Sequence, residues 1–586
     1  MYHTIIKIFS VMSSVLLICI MLTLSLSALE DNNEVETIML VHTNDVHGVV
    51  GVEPYVRAVA DSYRQEYGEK NVLTLSAGDV FSGGNAIAHM TDGEAIVDIM
   101  NAAGYDAMTA GNNDVSQISL LIAHNSETTF PIMAANLVSY ESAAKITPLL
   151  DEYKIFTSNS GVRIGVFGVT TILGSGSVSG KLFYSEGTIQ TAKRMTQKLK
   201  KEEACDIVVA LAHTGWPDGD ATLQAATTND TNSYLLATSV DGIDVVIDGH
   251  SHSIIEAGNG MLCDNGTLIV QAGSRGGYIG TVTISINKSD KTVLKKQAKL
   301  LSRKEYTKYT PDAATLTEIE KWENYMNEKY GKIVAYTPYF LNGERKLDSA
   351  DGCGIRAAEQ NLGDLVTDAV RYAAKSDIAF ISGVRIRGSI QKGDISMLDF
   401  YNIFPVGMTI GVTEMSGKKI KEYLRNSVAD SAKLLESSAF VQISGISFTY
   451  SANDGSIINA YLEDGTPVND NHIYTVASES GSKVISSTDE MIQAVINYFN
   501  STDFKAEKYA APQGRITRIS ANESAAISST QTKTESTVKQ VSVTTAKKKL
   551  DASPNTGDQL QNLIFMILIC TFGLAFIRIS LKKMHK

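Results

Sequence analysis

Five times between Glu34 and Ser302 a run of apolar, often β-branched residues ends and a short cluster of Asp, His or Asn follows at once: TIMLVHTNDVHG, NVLTLSAGDVFSGG, DAMTAGNND, DIVVALAHTG and DVVIDGHSH. Short apolar runs of this kind read as buried strands, and the helical stretches between them predict an α/β or layered α+β domain over 35–302. In the next segment, TPDAATLTEIEKWENYMNEKYGK (310–332), Leu316, Ile319, Trp322 and Met326 recur at the spacing of one helix face. Thr310 suits the N-cap, Pro311 the first turn and Gly331 the stop, which predicts one amphipathic helix joining two domains. From 333 to 519, helical IRAAEQNLGDLVTDAVRYAAK alternates with the strands DIAFIS and IYTVAS, a second, mixed α/β domain. Residues 520–552 hold many Ser, Thr and Lys and few large apolar residues, the composition of a flexible stalk.

The two ends break this pattern. Residues 1–28 combine Lys7, an apolar run and small residues near Ala28, as a secretory signal peptide does. At the other end (553–586), SPNTGD precedes an apolar run from Leu563 to Ile577 and the basic RISLKKMHK. Fifteen helical residues reach only about 22 Å against a hydrocarbon core of about 30 Å. The segment resembles a cell-wall sorting signal, in which a sortase would cut between Thr556 and Gly557 and join the chain to peptidoglycan; Ser553 stands where such signals carry Leu. A membrane anchor over 563–577 is the other reading. Either places the body outside the cell.

Composition narrows the chemistry. The chain has 586 residues, 44% hydrophobic and 20% charged, enough for two or more domains with real cores. Its net charge of −12 argues against binding a nucleic acid polymer, and an anionic substrate would need a local cation such as a metal. Cys19 and Cys570 lie in the terminal apolar runs, and Cys205, Cys263 and Cys353 are too few for a disulfide framework.

The polar clusters after the strands supply Asp45, His47, Asp79, Asn112, His213, His250 and His252. They can converge only if their strands lie side by side and end at one edge. Imidazoles mixed with carboxylate and amide oxygens suit Zn, Mn, Fe or Ni rather than Ca. Seven ligands exceed one ordinary site, whereas two divalent ions sharing a carboxylate fit the count, and such pairs serve phosphoester cleavage. His42, His89, His124 and His472 stand outside these clusters and read as core or surface residues.

The motifs in this order, followed by VQAGSRGGYIG, resemble the calcineurin-like metallophosphoesterase domain of the 5'-nucleotidase family, which includes UDP-sugar hydrolases and cyclic-phosphodiesterase relatives. AAEQNLGDLVTDAVRYAAKSDIAFISGVRIRGSIQKGDIS is similar to that family's carboxyl-terminal substrate-binding domain. The resemblance implies a β-sandwich flanked by helices, the linker helix and a mixed α/β second domain. It implies hydrolysis of nucleotides or nucleotide sugars by hydroxide held between two metals, one on Asp45, His47 and His252, the other on Asn112, His213 and His250, with Asp79 bridging. Arg387 matches an arginine that grips substrate, and Arg385 stands where the family has Gly, either a further phosphate contact or a solvent-facing residue. Two departures stand out. The family's catalytic His and its Asp partner appear as Asn113 and Ser116, and an amide can donate a hydrogen bond but cannot carry positive charge or deliver a proton. The aromatic base clamp is replaced by FPVGM, with Val406 and Met408, leaving Phe404 and Tyr401 as nearby substitutes. The alternative function is a surface binding protein that keeps fold and metals without useful turnover.

Overall fold

Within the strand Val35–Thr43 neighbouring side chains enter different interiors, Ile38 and Leu40 one and Met39 and Val41 another. A strand apolar on both faces must be covered on both, and the architecture follows from that demand. The computed structural model describes residues 34–520 except 82–84, 143–144, 172–174, 179–180, 218–231, 346–353, 405–407, 434–435 and 480–486. The expected signal peptide, sorting segment and almost all of the stalk, with Cys353 and Val406, lie outside the described residues. Among the described residues no helix is long and apolar enough to cross a membrane.

The first domain holds two six-stranded sheets. One runs in the order Val293–Ser302, Tyr278–Asn287, Val35–Thr43, Val72–Ser76, Ala107–Thr109, Ile132–Met133, and its last four strands are parallel. The other runs Met261–Leu262, Leu268–Val270, Val245–Ile247, Ile207–His213, Arg163–Thr170, Tyr153–Thr157, with the middle four parallel. Side chains from both sheets, among them Ile38, Leu75, Val166 and Leu211, form one interior between them. The sheets approach so closely that a Cβ on Gly168 would lie 2.6 Å from the Cβ of Met133. On the outer faces pack the helices Glu53–Tyr67 and Glu94–Ala103 on one side, Thr188–Gln197 and Ser233–Ser239 on the other. The result is a β-sandwich between two helical layers.

The joining helix spans Ala313–Tyr330. Its cap is Asp312, whose carboxylate accepts the Thr315 N–H, so Thr310 and Pro311 precede the helix rather than starting it. Ile319, Trp322 and Met326 are buried in the first domain's core, and Trp322 Nε1 donates to Asp98 Oδ2 at 3.1 Å. Leu316 falls off that face and is exposed; Thr315 is buried in its stead.

The second domain is built on a sheet ordered Val441–Ser444, Ile378–Ser382, Ile473–Glu479, Thr409–Ser416, Ser487–Glu490. The strand Ile378–Ser382 again divides its side chains, Ala379 and Ile381 meeting the helices Asn361–Ala374 and Met491–Phe499, Ile378 and Phe380 meeting Gly417–Ser427. A short helix, Met397–Ile403, touches the first domain: Asn402 Oδ1 accepts the Ala86 N–H at 3.0 Å.

Candidate metal centre

Parallel strands deliver their carboxyl ends to one edge of each sheet, and the two edges meet. There the loops after Thr43, Ser76, Thr109 and Ile247, with the end of the strand Ile207–His213, bring all seven candidate ligands together. Asp45, His47, Asp79, His250 and His252 hold left-handed backbone, with φ of 50°, 49°, 58°, 75° and 56°. A non-glycine residue pays roughly 1 kcal/mol or more for that conformation, and the surrounding structure must enforce it. Here it turns five donor side chains inward.

Two groups of donors result. His47 Nε2 and His252 Nε2 lie 3.2 Å apart, at 3.9 and 3.4 Å from Asp45 Oδ1. Beside them, His213 Nε2 stands 3.4 Å from Asp79 Oδ2, 3.9 Å from Asp45 Oδ1 and 3.1 Å from Asn112 Oδ1, which also lies 2.8 Å from His250 Nδ1. Asp45 reaches both groups. All but Asn112 and His252 are buried. The His213 Nδ1–H donates to the Ala77 carbonyl at 2.7 Å, which leaves Nε2 as the ring nitrogen that faces the centre. Buried lone pairs and carboxylates pressed this closely together fit a pair of divalent cations, as does His250 Nε2, buried without a hydrogen-bond partner.

The electrostatics carry the same mark. Burial works to lower the His213 pKa, but the carboxylates of Asp79 and Asp45 outweigh it and hold it up at about 10. Burial would raise Asp79, and the His213 charge and hydrogen bond instead hold it well below the usual carboxylate range. His250 is brought down to about 4 by burial and by the His213 charge.

Polar residues with no ligand role staple the loops to one another. The Asp114 carboxylate accepts four backbone N–H groups, those of Asp79, Gly111, Val80 and Phe81, at 2.7 to 3.0 Å. Burial and the Asp79 charge push Asp114 up to about 7. Asp248 Oδ1 takes the N–H of Thr214 at 2.8 Å, tying the His213 loop to the His250 loop. Asn44 donates to Asp45 Oδ2 at 2.8 Å and to the Gly273 carbonyl at 2.7 Å. Two glycines allow the approach: a Cβ on Gly249 would lie 2.8 Å from His213 Nδ1 and 2.9 Å from Asp45 Oδ2, and one on Gly111 would collide with Asp79. Sequence patterns drew attention to the ligands and passed over these staples, whose only signal is a small polar residue or glycine beside each ligand.

Asn113 sits against the centre, its Nδ2 donating to Asp79 Oδ2 at 2.6 Å and its backbone N–H to Asp79 Oδ1 at 2.8 Å. The Ser116 hydroxyl turns back to the Asn113 carbonyl. Arg387 is half-buried; burial, then the charges of Arg275 and Arg385, bring its guanidinium down to about 10. Arg385 lies 3.4 Å from Glu479 Oε1. Phe404 is fully buried and stacks on Phe400 in the core, so it offers no face to a base, and Tyr401 packs edge-on against Tyr330. Of the four other histidines among the described residues, His42 is buried within a strand, His124 bonds the Asp92 carbonyl and Glu127, and His472 packs edge-on against Tyr474. His89 lies in electrostatic range of Arg387.

Comparison with known proteins matches residues 38–253 to the calcineurin-like phosphoesterase model and 343–492 to the 5'-nucleotidase C-terminal domain. The chain is 28% identical to a trifunctional nucleotide phosphoesterase protein of Bacillus subtilis over 78% of its own length, and spans only about a third (31%) of that relative. It is 27% identical to a 5'-nucleotidase of Vibrio cholerae over 72% of its own length and 80% of the relative's. Among solved structures, a 5'-nucleotidase precursor from Thermus thermophilus superposes with a TM-score of 0.62 at 23% identity, covering 82% of this chain and 99% of that one; the likeness is one of fold.

Proposed function

Because the chain joins a calcineurin-like phosphoesterase domain to a 5'-nucleotidase C-terminal domain and so belongs to the 5'-nucleotidase family, we propose that it is a two-metal hydrolase of phosphate esters, acting on nucleotides or nucleotide sugars. The observation that carries this reading is the convergence of seven donor side chains from the ends of five strands, five of them on left-handed backbone. Asp45, His47 and His252 would hold one divalent ion and Asn112, His213, His250 and Asp79 the other, with Asp45 in reach of both, and the pair when bound would supply charge neutralisation at phosphorus and an acidified water.

The chain's own residues do the positioning. Asp114 and Asn113 fix both oxygens and the backbone of Asp79. Asn44 fixes Asp45, and the Ala77 carbonyl fixes the His213 tautomer. Arg387 brings a cation from the second domain to the phosphate. Residues 1–28 and 553–586 support export and attachment at the cell surface, with sortase and peptidoglycan as partners.

One observation favours a second reading, a surface binding protein. Asn113 cannot supply a proton or positive charge, and loss of such a group costs on the order of 10² to 10⁴ in rate. Phosphate release by purified protein with Mn²⁺ or Zn²⁺ separates the two. AMP, UDP-glucose, cyclic nucleotides and aryl phosphates form the panel, with Asp79→Asn as control. Release that vanishes in the control is expected; no release from any ester would leave the binding protein.

A further inference from the structure

Two hollows of about 570 and 420 Å³ lie side by side in the second domain, with Glu463 and Lys508 in the walls of both. Together they form one groove, of a size that holds a small ligand, and it shares no residue with the metal centre. Its floor is polar and already satisfied. The Asp368 carboxylate, 6% exposed, accepts the Tyr509 hydroxyl at 2.7 Å, the Arg515 guanidinium at 2.8 Å and the Ser444 hydroxyl, and Lys508 Nζ lies 2.8 Å from it. The Tyr498 hydroxyl meets that of Tyr509 at 2.9 Å, and on the wall Arg371 Nη2 lies 2.6 Å from Glu463 Oε2. A network so fully paired holds its members in place.

These pairs decide which ligand the groove suits. Of the four cations in its lining, Arg371 faces Glu463, Lys508 and Arg515 share Asp368, and Asp503 offsets Lys375. Charges so nearly balanced draw no polyanion. A lipid or an apolar peptide fits no better, because apart from Ala373 the carbon surface of the larger hollow belongs to tyrosine rings and the stems of polar side chains. What stands free is the phenol ring. Tyr372, in the last turn of the helix Asn361–Ala374, is 44% exposed at the larger hollow, and Tyr461, in the strand Ile457–Leu462, is 40% exposed at the smaller. Tyr498 braces Tyr372, their ring centroids 5.4 Å apart.

A pyranose has the matching chemistry. Its C–H faces stack on aromatic carbon, and its hydroxyls both give and accept hydrogen bonds, as Glu463, Arg371 and Gln513 in the walls require. Two exposed tyrosines in two joined hollows call for at least two such rings. The chain also leaves the domain here: Gln513 and Arg515 line the groove, the strand Ile516–Ile519 follows, and residues 520–552 join it to the segment that resembles a sorting signal.

Resting on the cell-surface reading above, we propose that this groove binds a glycan strand of the peptidoglycan to which the chain is joined. Attachment keeps wall glycan near the groove, so an affinity on the order of millimolar is enough to fill it. The metal centre, which shares no residue with the groove, stays free to act.

The test uses the full chain as wild type, Tyr372→Ala and Tyr461→Ala. Both rings are exposed, so neither substitution empties the core. Calorimetry measures binding of the N-acetylglucosamine tetramer and of the single sugar, and sedimentation measures retention on purified peptidoglycan before and after its phosphate polymers are stripped. The wild type is expected to bind the tetramer more tightly than the single sugar. Each Ala variant should lose about fivefold or more of that affinity while its phosphate release stays at the wild-type level. Retention should survive both stripping and added salt, and fall in the variants. No binding of the tetramer, or equal binding by wild type and both variants, would overturn the groove as a glycan site. Retention lost on stripping or in salt would make an anionic polymer the partner and overturn it likewise. Tetramer binding without retention on stripped peptidoglycan would overturn the wall as the source. A chain that proves not to be joined to the wall removes the cell-surface reading, and the tetramer measurements still decide the groove.

Discussion

Asp114 binds nothing that reacts, yet the geometry of the metal centre depends on it. Its Oδ2 accepts the N–H groups of Asp79 and Gly111 at 2.7 and 2.9 Å, its Oδ1 those of Val80 and Phe81, both at 3.0 Å. Asp114→Asn keeps the shape and one acceptor oxygen but turns an NH₂ toward two buried N–H donors. Each orphaned donor costs about 1–3 kcal/mol, so the substitution should cost roughly 2–6 kcal/mol, a large share of the 5–15 kcal/mol typical of a domain. Whichever oxygen is replaced, the pair released is either the strained Asp79 with Gly111 or the two residues that follow Asp79, so part of that cost should appear as weaker metal binding rather than global unfolding. Urea unfolding of the metal-free protein and calorimetric titration with Mn²⁺ together measure both parts. We expect unfolding free energy lower by about 3 kcal/mol and metal affinity at least tenfold weaker. A loss under about 1 kcal/mol with unchanged metal affinity would refute the view that this carboxylate positions Asp79.

Gly249→Ala places a methyl group within 2.9 Å of His213 Nδ1, the Ala77 carbonyl and Asp45 Oδ2; titration should find metal binding weakened at least tenfold while circular dichroism stays unchanged. Asn113→His should raise phosphate release about tenfold or more if the site is merely short of a proton donor, and lower turnover would mean that the pocket is built around the amide. A pH dependence comes from Asp364, which burial, aided by Glu359, pushes up to about 8 against the pull of Arg515. A carboxyl with a raised folded pKa contributes stability that is full below its unfolded value near 4 and lost as pH rises toward 8. Asp364→Asn should therefore resist urea better than wild type at pH 9 and match it only near pH 4, as parallel unfolding curves would record.

The sandwich and its helical layers could be read from the sequence because strands such as TIMLVHT are apolar on both faces, and such strands have few ways to be covered. The donor side chains that converge were readable for a related reason: a buried strand tolerates a charged cluster only where it ends. Asp114, Asp248 and Asn44 were not, since a loop acid that binds backbone N–H groups looks in sequence like one facing water. The start of the joining helix was misread because Thr310, Pro311 and Asp312 all favour helix entry, and the carboxylate of Asp312 is the group that reaches the Thr315 N–H. Phe404 reads as a possible base platform, but its place at the end of the helix Met397–Ile403 turns it into the core beside Phe400.

The number of divalent ions each chain holds tests the account most directly. After loading with Mn²⁺ or Zn²⁺ and removal of free ion, elemental analysis should find two per chain in the wild type and fewer in Asp79→Asn. A wild-type chain that retains one ion, or none, would contradict it.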